Sequence, residues 1–289
     1  RLMSSQITTA FVEQYSNNVQ ILSQQKGSLL RDKVDSETVQ GKNAFFEQIG
    51  SVTAQVRTSR HADTPQLDTP HSRRRVSLSD YEYADLIDEQ DKVRTLIDPT
   101  SSYAQAAAFA MGRAMDDVII SAATGTAFTG VSGGTSTALP GTQAITESGT
   151  DGLTVAKLRE AKRIMDLNSV DASIPRYIVV SPRQIDDLLG TTSVTSADFN
   201  TVRALVTGEV NTFMGFNFIT SNRLSIASSK RLCFAYAQDG IKLALGKDVM
   251  SRIDERTDKG YATQVYYCMS IGATRMEEEK VVSIQAHEA

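Results

Sequence analysis

The sequence DPTSSYAQAAAFAMGRAMDDVIISAATG, residues 98–125, predicts a long helix around which the fold is organised. Pro99 disfavours helix in the residue before it, and Ser102 with Gln105 forms a capping box at the start. Gly125 stands where a left-handed residue would end the helix. An apolar stripe at steps of three and four residues predicts one buried face: Ala104, Ala108, Met111, Met115, Val118 and Ala122. We interpret the segment as a central helix lying on a sheet, with an ordinary amphipathic surface helix as the alternative.

The end of the chain is predicted to supply that sheet. Alternating residues in 249–256 and 261–272 flank a turn at Asp258-Lys259-Gly260, which predicts a long hairpin. Val281, Val282 and Ile284 predict a last strand beside it. The central helix and these strands would then form one unit that is discontinuous in sequence.

The middle of the chain predicts a compact α/β lobe over residues 171–246. The apolar run 176–180 is typical of a strand covered on both faces, and Ser181-Pro182 begins a helix that ends at Gly190. A further helix beginning near Ser196 and a strand over 213–220 would follow. Asp239-Gly240 predicts a hairpin between 232–237 and 241–245. Before the lobe, residues 126–152 predict an irregular surface loop and 154–167 a helix.

Composition limits the class of protein. The chain has 289 residues, of which 40% are hydrophobic and 22% charged, typical of a soluble globular protein. A formal net charge of −4 argues against a chain built mainly to bind nucleic acid. No apolar run approaches the roughly twenty residues that span a bilayer, and no signal peptide is evident. Cys233 and Cys268 lie in apolar strand-like runs, which predicts buried free thiols, a disulfide being the minority alternative.

Two segments near the start have too little apolar surface to fold alone. Residues 1–48 are polar, with Phe11, Tyr15, Phe45 and Phe46 as the aromatic exceptions, and we expect an arm that orders on another surface rather than a floppy tail. Residues 49–95 predict an extended hairpin. Its strands would be 51–60, with Val52, Ala54 and Val56 alternating, and 73–78, with Val76 and Leu78, around a proline-bearing tip at 61–71.

Basic and acidic residues are predicted to lie at opposite ends of this hairpin. The sequence predicts arginines near the tip, Arg57, Arg60, Arg73, Arg74 and Arg75, and acidic residues at the base, including Asp80, Glu82 and Asp85. Such a pattern favours docking of one copy's tip near another copy's root. Solvated charge on a surface hairpin is the alternative, since exposed ion pairs contribute only about 0–1 kcal/mol each.

No motif indicates an enzyme. Gly130-Val131-Ser132-Gly133-Gly134 fits the letters of a nucleophile elbow, but the pattern predicts neither a strand before it nor a helix after it. A hydrolase using Ser132 is therefore a remote alternative. No phosphate-binding loop, dinucleotide fingerprint or metal-ligand spacing occurs, so no cofactor and no metal are predicted.

The order of these elements resembles the major capsid proteins of tailed bacteriophages, which have the HK97-like fold. The two stretches whose sequences most resemble those of the family are TFMGFNF at 212–218 and DGIKLAL at 239–245. The resemblance implies an α+β fold with an N-terminal arm (1–48), an E-loop hairpin (49–95), a P domain with its spine helix (96–170), an A domain (171–246) and return strands of the P domain (247–289).

The resemblance also implies a function. The chain would form pentamers and hexamers of an icosahedral shell that encloses double-stranded DNA without sequence-specific binding, aided by a separate scaffolding protein and a portal. It would be found in the virion, assembled in the host bacterial cytoplasm, with no membrane contact. An encapsulin-type nanocompartment shell is the alternative. The candidate inter-subunit contacts are Phe11, Tyr15, Arg57, Arg60, Arg73, Arg74, Arg75, Val76, Leu78, Asp80, Glu82 and Asp85.

Overall fold

The computed structural model describes residues 23–60, 63–64, 66–88, 100–146, 149–190 and 212–288. Within these residues the chain forms three α-helices and fifteen β-strands. The helices are α1 (Thr100–Thr124), α2 (Val155–Leu167) and α3 (Pro182–Gly190). The strands are β1 (Asp35–Thr38), β2 (Asn43–Ile49), β3 (His71–Ser77), β4 (Ser79–Ile87), β5 (Ala127–Thr129), β6 (Thr135–Thr137), β7 (Ala144–Ile145), β8 (Arg176–Val180), β9 (Thr212–Phe213), β10 (Phe216–Thr220), β11 (Ile226–Ala227), β12 (Lys230–Ala237), β13 (Ile241–Arg256), β14 (Ala262–Arg275) and β15 (Val281–His287).

The described strands form three sheets. The long sheet has the order β1-β13-β14-β4, and its centre is the antiparallel hairpin of β13 and β14. The lobe sheet has the order β7-β15-β12-β8-β10-β9, with β11 beside β12. The root sheet, named for the hairpin that it supports, has the order β2-β3-β5-β6. Helices and separate sheets together confirm the predicted α+β class.

Helix α1 lies on the long sheet, as the sequence predicts. It contacts mainly β14, with further contacts to β13 and β4. Its buried line is Ala107, Met111, Met115, Ile119 and Ala123, which shares the two methionines with the predicted stripe. The other predicted members, Ala104, Ala108, Val118 and Ala122, are only half-buried. Because alanines cover several faces of this helix, residue spacing alone does not distinguish two neighbouring lines.

A buried carboxylate in the middle of α1 holds the N-terminal segment against the helix. The side chain of Asp116 is 0% exposed. It accepts hydrogen bonds from the backbone N–H of Leu29 (3.0 Å) and of Leu30 (3.2 Å), and from the side chains of Gln25 and Ser28. Four donors from one short segment compensate for the loss of water around the charge.

Gly112, one turn before Asp116, allows this close approach. A Cβ atom at position 112 would lie 2.4 Å from the carbonyl carbon of Gly27, far inside contact distance. The segment that contains Gly27 and Ser28 therefore crosses α1 where the helix has no side chain. Local sequence patterns do not reveal this contact, since they report on neighbours along the chain.

The C-terminal end of α1 is capped by a buried arginine from β14. Arg275 is 0% exposed, and its Nη1 donates to the carbonyl oxygens of Ala123 (3.1 Å) and Gly125 (2.7 Å). Its Nη2 donates to the carbonyl oxygen of Thr137 (3.1 Å) in β6. The last carbonyls of a helix have no partner within the helix and carry its negative dipole end, so a guanidinium stabilises them. Burial lowers the pKa of Arg275.

The predicted hairpin at Asp239-Gly240 is wrong. Strand β12 pairs with β8 and β15 in the lobe sheet, whereas β13 pairs with β14 and β1 in the long sheet. The turn between them is held by other segments, because Gln238 N donates to Pro175 O (3.0 Å) and Met276 N donates to Gly240 O (2.8 Å). An Asp-Gly pair indicates that the chain turns, and it carries no information on which strands then pair.

Two further predictions are corrected. Residues 126–152, predicted as an irregular loop, contain β5, β6 and β7, whose partners in β3 and β15 are distant in sequence. The last strand, β15, joins the lobe sheet beside β12 instead of the sheet under α1. The predicted domain boundary between 246 and 247 falls inside β13, and the division into domains stays a prediction.

Most of the lobe agrees with its local signals, but the single strand predicted over 213–220 is wrong. The structure has two antiparallel strands there, β9 and β10, because Met214 and Gly215 take positive φ angles (53° and 85°) and turn the chain. Helix α2 begins after Thr154, whose side chain accepts from Lys157 N, and α3 begins at Pro182. Strand β8 is covered on both faces, and it pairs in parallel with β10. The predicted helix near Ser196 lies outside the described residues. Cys233 and Cys268 are buried free thiols, as predicted. Among the described residues no helix has both the length and the apolar character to cross a membrane.

Replacing Asp116 by asparagine should loosen the N-terminal segment. Asn keeps the shape of the side chain but turns one acceptor into a donor facing the N–H groups of Leu29 and Leu30. We expect the unassembled chain to lose about 2–3 kcal/mol of unfolding free energy, and trypsin to cut sooner at Lys26. The control is Asp117→Asn, which removes an exposed pair with Arg223 and should cost under about 1 kcal/mol. Urea unfolding and timed proteolysis give both readouts, and equal behaviour of the two variants would contradict the role of Asp116.

Replacing Arg275 by lysine should weaken the junction between α1 and β6. A single ammonium keeps the charge, but it lacks the fork that reaches carbonyls on both sides. We expect a loss of about 1–3 kcal/mol, measured by thermal unfolding of the unassembled chain. Arg252→Lys, an exposed position on β13, is the matched control. If both variants have the same melting temperature as the wild type, the buried cap contributes nothing to stability.

Candidate assembly surface

The hairpin that projects from the root sheet uses a different first strand from the predicted one. Strand β2 pairs with β3 from Asn43 opposite Ser77 to Ile49 opposite His71, so the strand predicted at 51–60 is wrong for the single chain. Gly50 N donates to Pro70 O (2.8 Å), and residues 51–58 beyond it have no regular structure. In this register Phe46 lies beside buried partners.

The root of the hairpin has a small core of its own. Phe46 (6% exposed) and Val76 (2%) pack with Val39 and Ala244. Leu78 is half-buried against Gly246 of β13, where an added Cβ would lie 2.5 Å from its Cδ1. Val76 is therefore enclosed by its own chain, and a role for it between copies stays a prediction.

The three consecutive arginines lie in β3 at the root, so their predicted location near the tip is wrong. Arg74 is 6% exposed, and it donates from Nε to Met276 O (2.9 Å) and from Nη2 to Glu278 Oε1 (2.7 Å). Arg73 pairs with Glu47, and the Arg75 guanidinium lies 4.8 Å from the centre of the Phe128 ring. These side chains bind the root to its own chain, and a role for Arg73 and Arg75 between copies stays a prediction.

The tip carries exposed apolar side chains and the remaining arginines. Val52 is 55% exposed and Val56 88% exposed. Every residue from 51 to 60 is exposed, including Arg57 and Arg60, and Arg57 Nε donates to the nearby Ser59 O (3.0 Å). Exposed valines at alternate positions form a surface that nothing in the described part of the chain covers.

The acidic residues lie on β4, at one edge of the long sheet. Asp80 and Glu82 are exposed, and Asp85 is half-buried, within 3.3 Å of the Tyr83 hydroxyl. The Tyr266 hydroxyl donates to Glu82 (3.0 Å), and this bond to a carboxylate raises the pKa of Tyr266 to about 12. Residue spacing indicated an acidic segment, but it did not show that the segment is an edge strand.

The N-terminal arm is described only from residue 23, so the predicted contacts Phe11 and Tyr15 lie outside the described residues. Beyond the Asp116 contact, β1 pairs in parallel with the start of β13. Arg31 pairs with Asp248, and this hydrogen-bonded partner lowers the pKa of the Asp248 carboxyl. This part of the arm orders on its own chain.

Ser132 does not lie in a nucleophile elbow. It is exposed in the turn between β5 and β6, which is strand–turn–strand, whereas the elbow is strand–turn–helix. Within the described ranges no three His, Cys, Asp or Glu side chains cluster as metal ligands would. The features that remain are surfaces: an exposed tip and an acidic sheet edge.

Comparison with known proteins identifies the family. The family model described as phage capsid protein matches residues 7–288. No curated protein sequence matches the chain significantly.

Solved capsid structures share the fold at low sequence identity. The capsid of the cyanophage P-SCSP1u matches with a TM-score of 0.73 at 18% identity, over 98% of this chain and 95% of that chain. The capsid of Ralstonia phage GP4 matches with a TM-score of 0.74 at 10% identity, over 97% and 96%. The capsid of Helicobacter pylori bacteriophage KHP30 matches with a TM-score of 0.72 at 11% identity, over 99% and 98%. The chain belongs to the phage capsid protein family, and it is a major capsid structural protein with the HK97-like fold.

Proposed function

We propose that copies of this chain assemble through the exposed hairpin tip into the closed icosahedral head of a tailed bacteriophage. The observation that carries the proposal is the tip itself, where Val52 and Val56 alternate on a segment with no partner in the described chain. A surface of this kind that docks on a different surface of the next copy makes a heterologous contact, which forms a closed ring when the rotation between copies closes. Pentamers and hexamers are the rings that an icosahedral head requires.

A shell that encloses a genome needs three further partners: the DNA itself, a scaffolding protein and a portal. Double-stranded DNA is held inside the shell without sequence-specific contacts, in keeping with a formal net charge of −4. A separate scaffolding protein directs assembly, and a portal occupies one vertex. The protein is found in the virion after assembly in the host bacterial cytoplasm.

The alternatives have less support. A nanocompartment shell shares the fold, but the matching family model and the similar solved structures are those of phage capsids. A hydrolase would need Ser132 in a strand–turn–helix context with a histidine beside it, and Ser132 occupies an exposed strand–turn–strand. We propose no catalytic role.

Particle formation tests the proposal directly. Protein expressed with its scaffolding protein, or recovered from virions, should sediment as megadalton particles that negative-stain microscopy shows as closed shells. Virion particles should have an absorbance ratio dominated by nucleic acid, whereas a nanocompartment would give the ratio of protein. A chain that remains a monomer or small oligomer in both preparations would contradict the proposal.

A charge at the tip should impair assembly without affecting the folded chain. Val56 is 88% exposed, so Val56→Asp should change unfolding free energy by no more than about 0.5 kcal/mol. Particle yield, measured by sedimentation, should fall because a desolvated contact would receive an unpaired charge. Val131→Asp is the matched control, since Val131 is 86% exposed in the β5–β6 turn. Equal particle yields from the two variants would show that the tip takes no part in the contact between copies.

A further inference from the structure

We propose that Glu278 is a shared carboxylate, which holds the hairpin of β2 and β3 through Arg74 and passes to Arg275 when the hairpin moves away. The chain then has two arrangements, which differ in the guanidinium group that binds the carboxylate. This inference goes beyond the proposed function, because it concerns how the folded chain couples the hairpin to the end of α1. Its test uses the unassembled chain and does not depend on particle formation.

Glu278 lies where the three sheets meet. It belongs to the connection 276–280, which leads from β14 of the long sheet to β15 of the lobe sheet. The root sheet binds the same connection, because Met276 O accepts from Arg74 Nε (2.9 Å) and from Gln48 Nε2 (2.6 Å). The connection therefore contacts each of the three sheets, and its contacts can transmit a change from one sheet to another.

Two buried guanidinium groups compete for the single carboxylate of Glu278, whose side chain is 14% exposed. Arg74 Nη2 lies 2.7 Å from Oε1 and 2.5 Å from Oε2. Arg275 Nε lies 3.6 Å from Oε1, which is too far for a hydrogen bond. In this arrangement Arg74 binds the carboxylate, and Arg275 has only the longer electrostatic attraction.

Each of the two guanidinium groups has a nitrogen without an acceptor. Arg74 Nη1 and Arg275 Nε are enclosed, and within the described ranges neither has a hydrogen-bond partner. Buried donors without acceptors are costly, so they need an explanation. Burial lowers the pKa of Arg275, the charge of Arg74 adds to this effect, and the charge of Glu278 opposes it. A closer carboxylate would therefore stabilise the charged form of Arg275.

This arrangement lowers the free energy needed to release the hairpin. When Arg74 leaves, Glu278 has to move by only about 0.7 Å to reach hydrogen-bond distance of Arg275 Nε. The carboxylate then exchanges one guanidinium for another and is not left buried without a partner, which would be strongly destabilising. Two arrangements that both pair the carboxylate form a two-state element.

Short connections join the hairpin to the long sheet. Leu78 is the one residue between β3 and β4, and residues 39–42 join β1 to β2. The two connections lie side by side, because Leu78 N donates to Lys42 O (3.0 Å), and Gly41 has a φ of 94°. The core beneath them is small: Val39, Phe46, Val76 and Ala244. The hairpin can therefore rotate as one body about these connections.

The second arrangement strengthens the cap of α1. Arg275 Nη1 donates to Ala123 O and Gly125 O, and Nη2 donates to Thr137 O in β6. A carboxylate hydrogen-bonded to Nε would fix the orientation of this guanidinium group and so of its other donors. Release of Arg74 should therefore loosen the hairpin and tighten the end of α1, which are changes of opposite sign.

Amide hydrogen exchange of the unassembled chain tests this coupling. Arg74→Met keeps the length of the side chain but removes its donors. We expect the peptide covering 43–49 to exchange about tenfold faster than in the wild type, because the hairpin loses a charged hydrogen bond. The peptide covering 121–126 should exchange about threefold slower, because Glu278 becomes available to Arg275. If Arg74 contributed to stability alone, exchange would be faster in both peptides.

Glu278→Gln gives the complementary result. The amide carries no charge, so both guanidinium groups lose the carboxylate, and exchange should accelerate in both peptides. Arg74→Met combined with Glu278→Gln should lose the slowing at 121–126, because no carboxylate remains to pass to Arg275. The matched control is Glu279→Gln, a neighbouring exposed carboxylate, and both of its peptides should exchange as in the wild type.

Slower exchange at 121–126 in Arg74→Met supports the shared carboxylate if it disappears in the double variant. Unchanged or faster exchange there would overturn the inference, as would slowing that persists without Glu278. If Arg74→Met does not fold, Arg74→Lys is measured in its place, because one ammonium group cannot reproduce the fork and the same opposite changes are expected. A chain that forms no particles would contradict the proposed function and leave these exchange results as they stand.

Discussion

The burial of helix α1 on the long sheet determines where distant parts of the chain can lie. Its middle carries a buried carboxylate at Asp116 that needs donors, and the segment around Leu29 supplies them from 87 residues away. Its end carries carbonyls that need donors, and Arg275 supplies them from β14. Each unsatisfied group on the helix is met by a segment remote in sequence, so the helix, the arm and the sheet form one structure.

The tip of the hairpin, unlike helix α1, has side chains that no described part of the chain covers. Its root is fixed by a small core around Phe46 and Val76 and by the bonds of Arg74 to Met276 and Glu278. Its tip leaves alternating valines in water and β4 leaves a sheet edge open. Free edges and exposed apolar strands invite indiscriminate association, and charges on an edge limit it.

Function in this protein belongs to surfaces, which explains why no residue motif indicates it. An enzyme places a few reactive groups together, and such groups leave recognisable spacing in a sequence. A shell protein distributes its function over strand edges and small contacts that many residue types can form. The order of elements therefore indicated the family, even though the similar solved capsids share only 10–18% of their residues with this chain.

Local signals in the sequence determined most of the elements: the end of α1 before Gly125, the starts of α2 and α3, the buried strand β8 and the turn at Gly260. Each depends on caps, turns and periodicity within a few residues. The start of α1 is an exception, because the helix begins at Thr100, before the predicted capping residue Ser102. The tertiary structure alone decided that β12 and β13 enter different sheets, that β2 displaces the predicted strand at 51–60, and that Asp116 and Arg74 are buried. Those outcomes depend on pairing and desolvation between segments far apart in the chain, and neither is visible in the order of neighbouring residues.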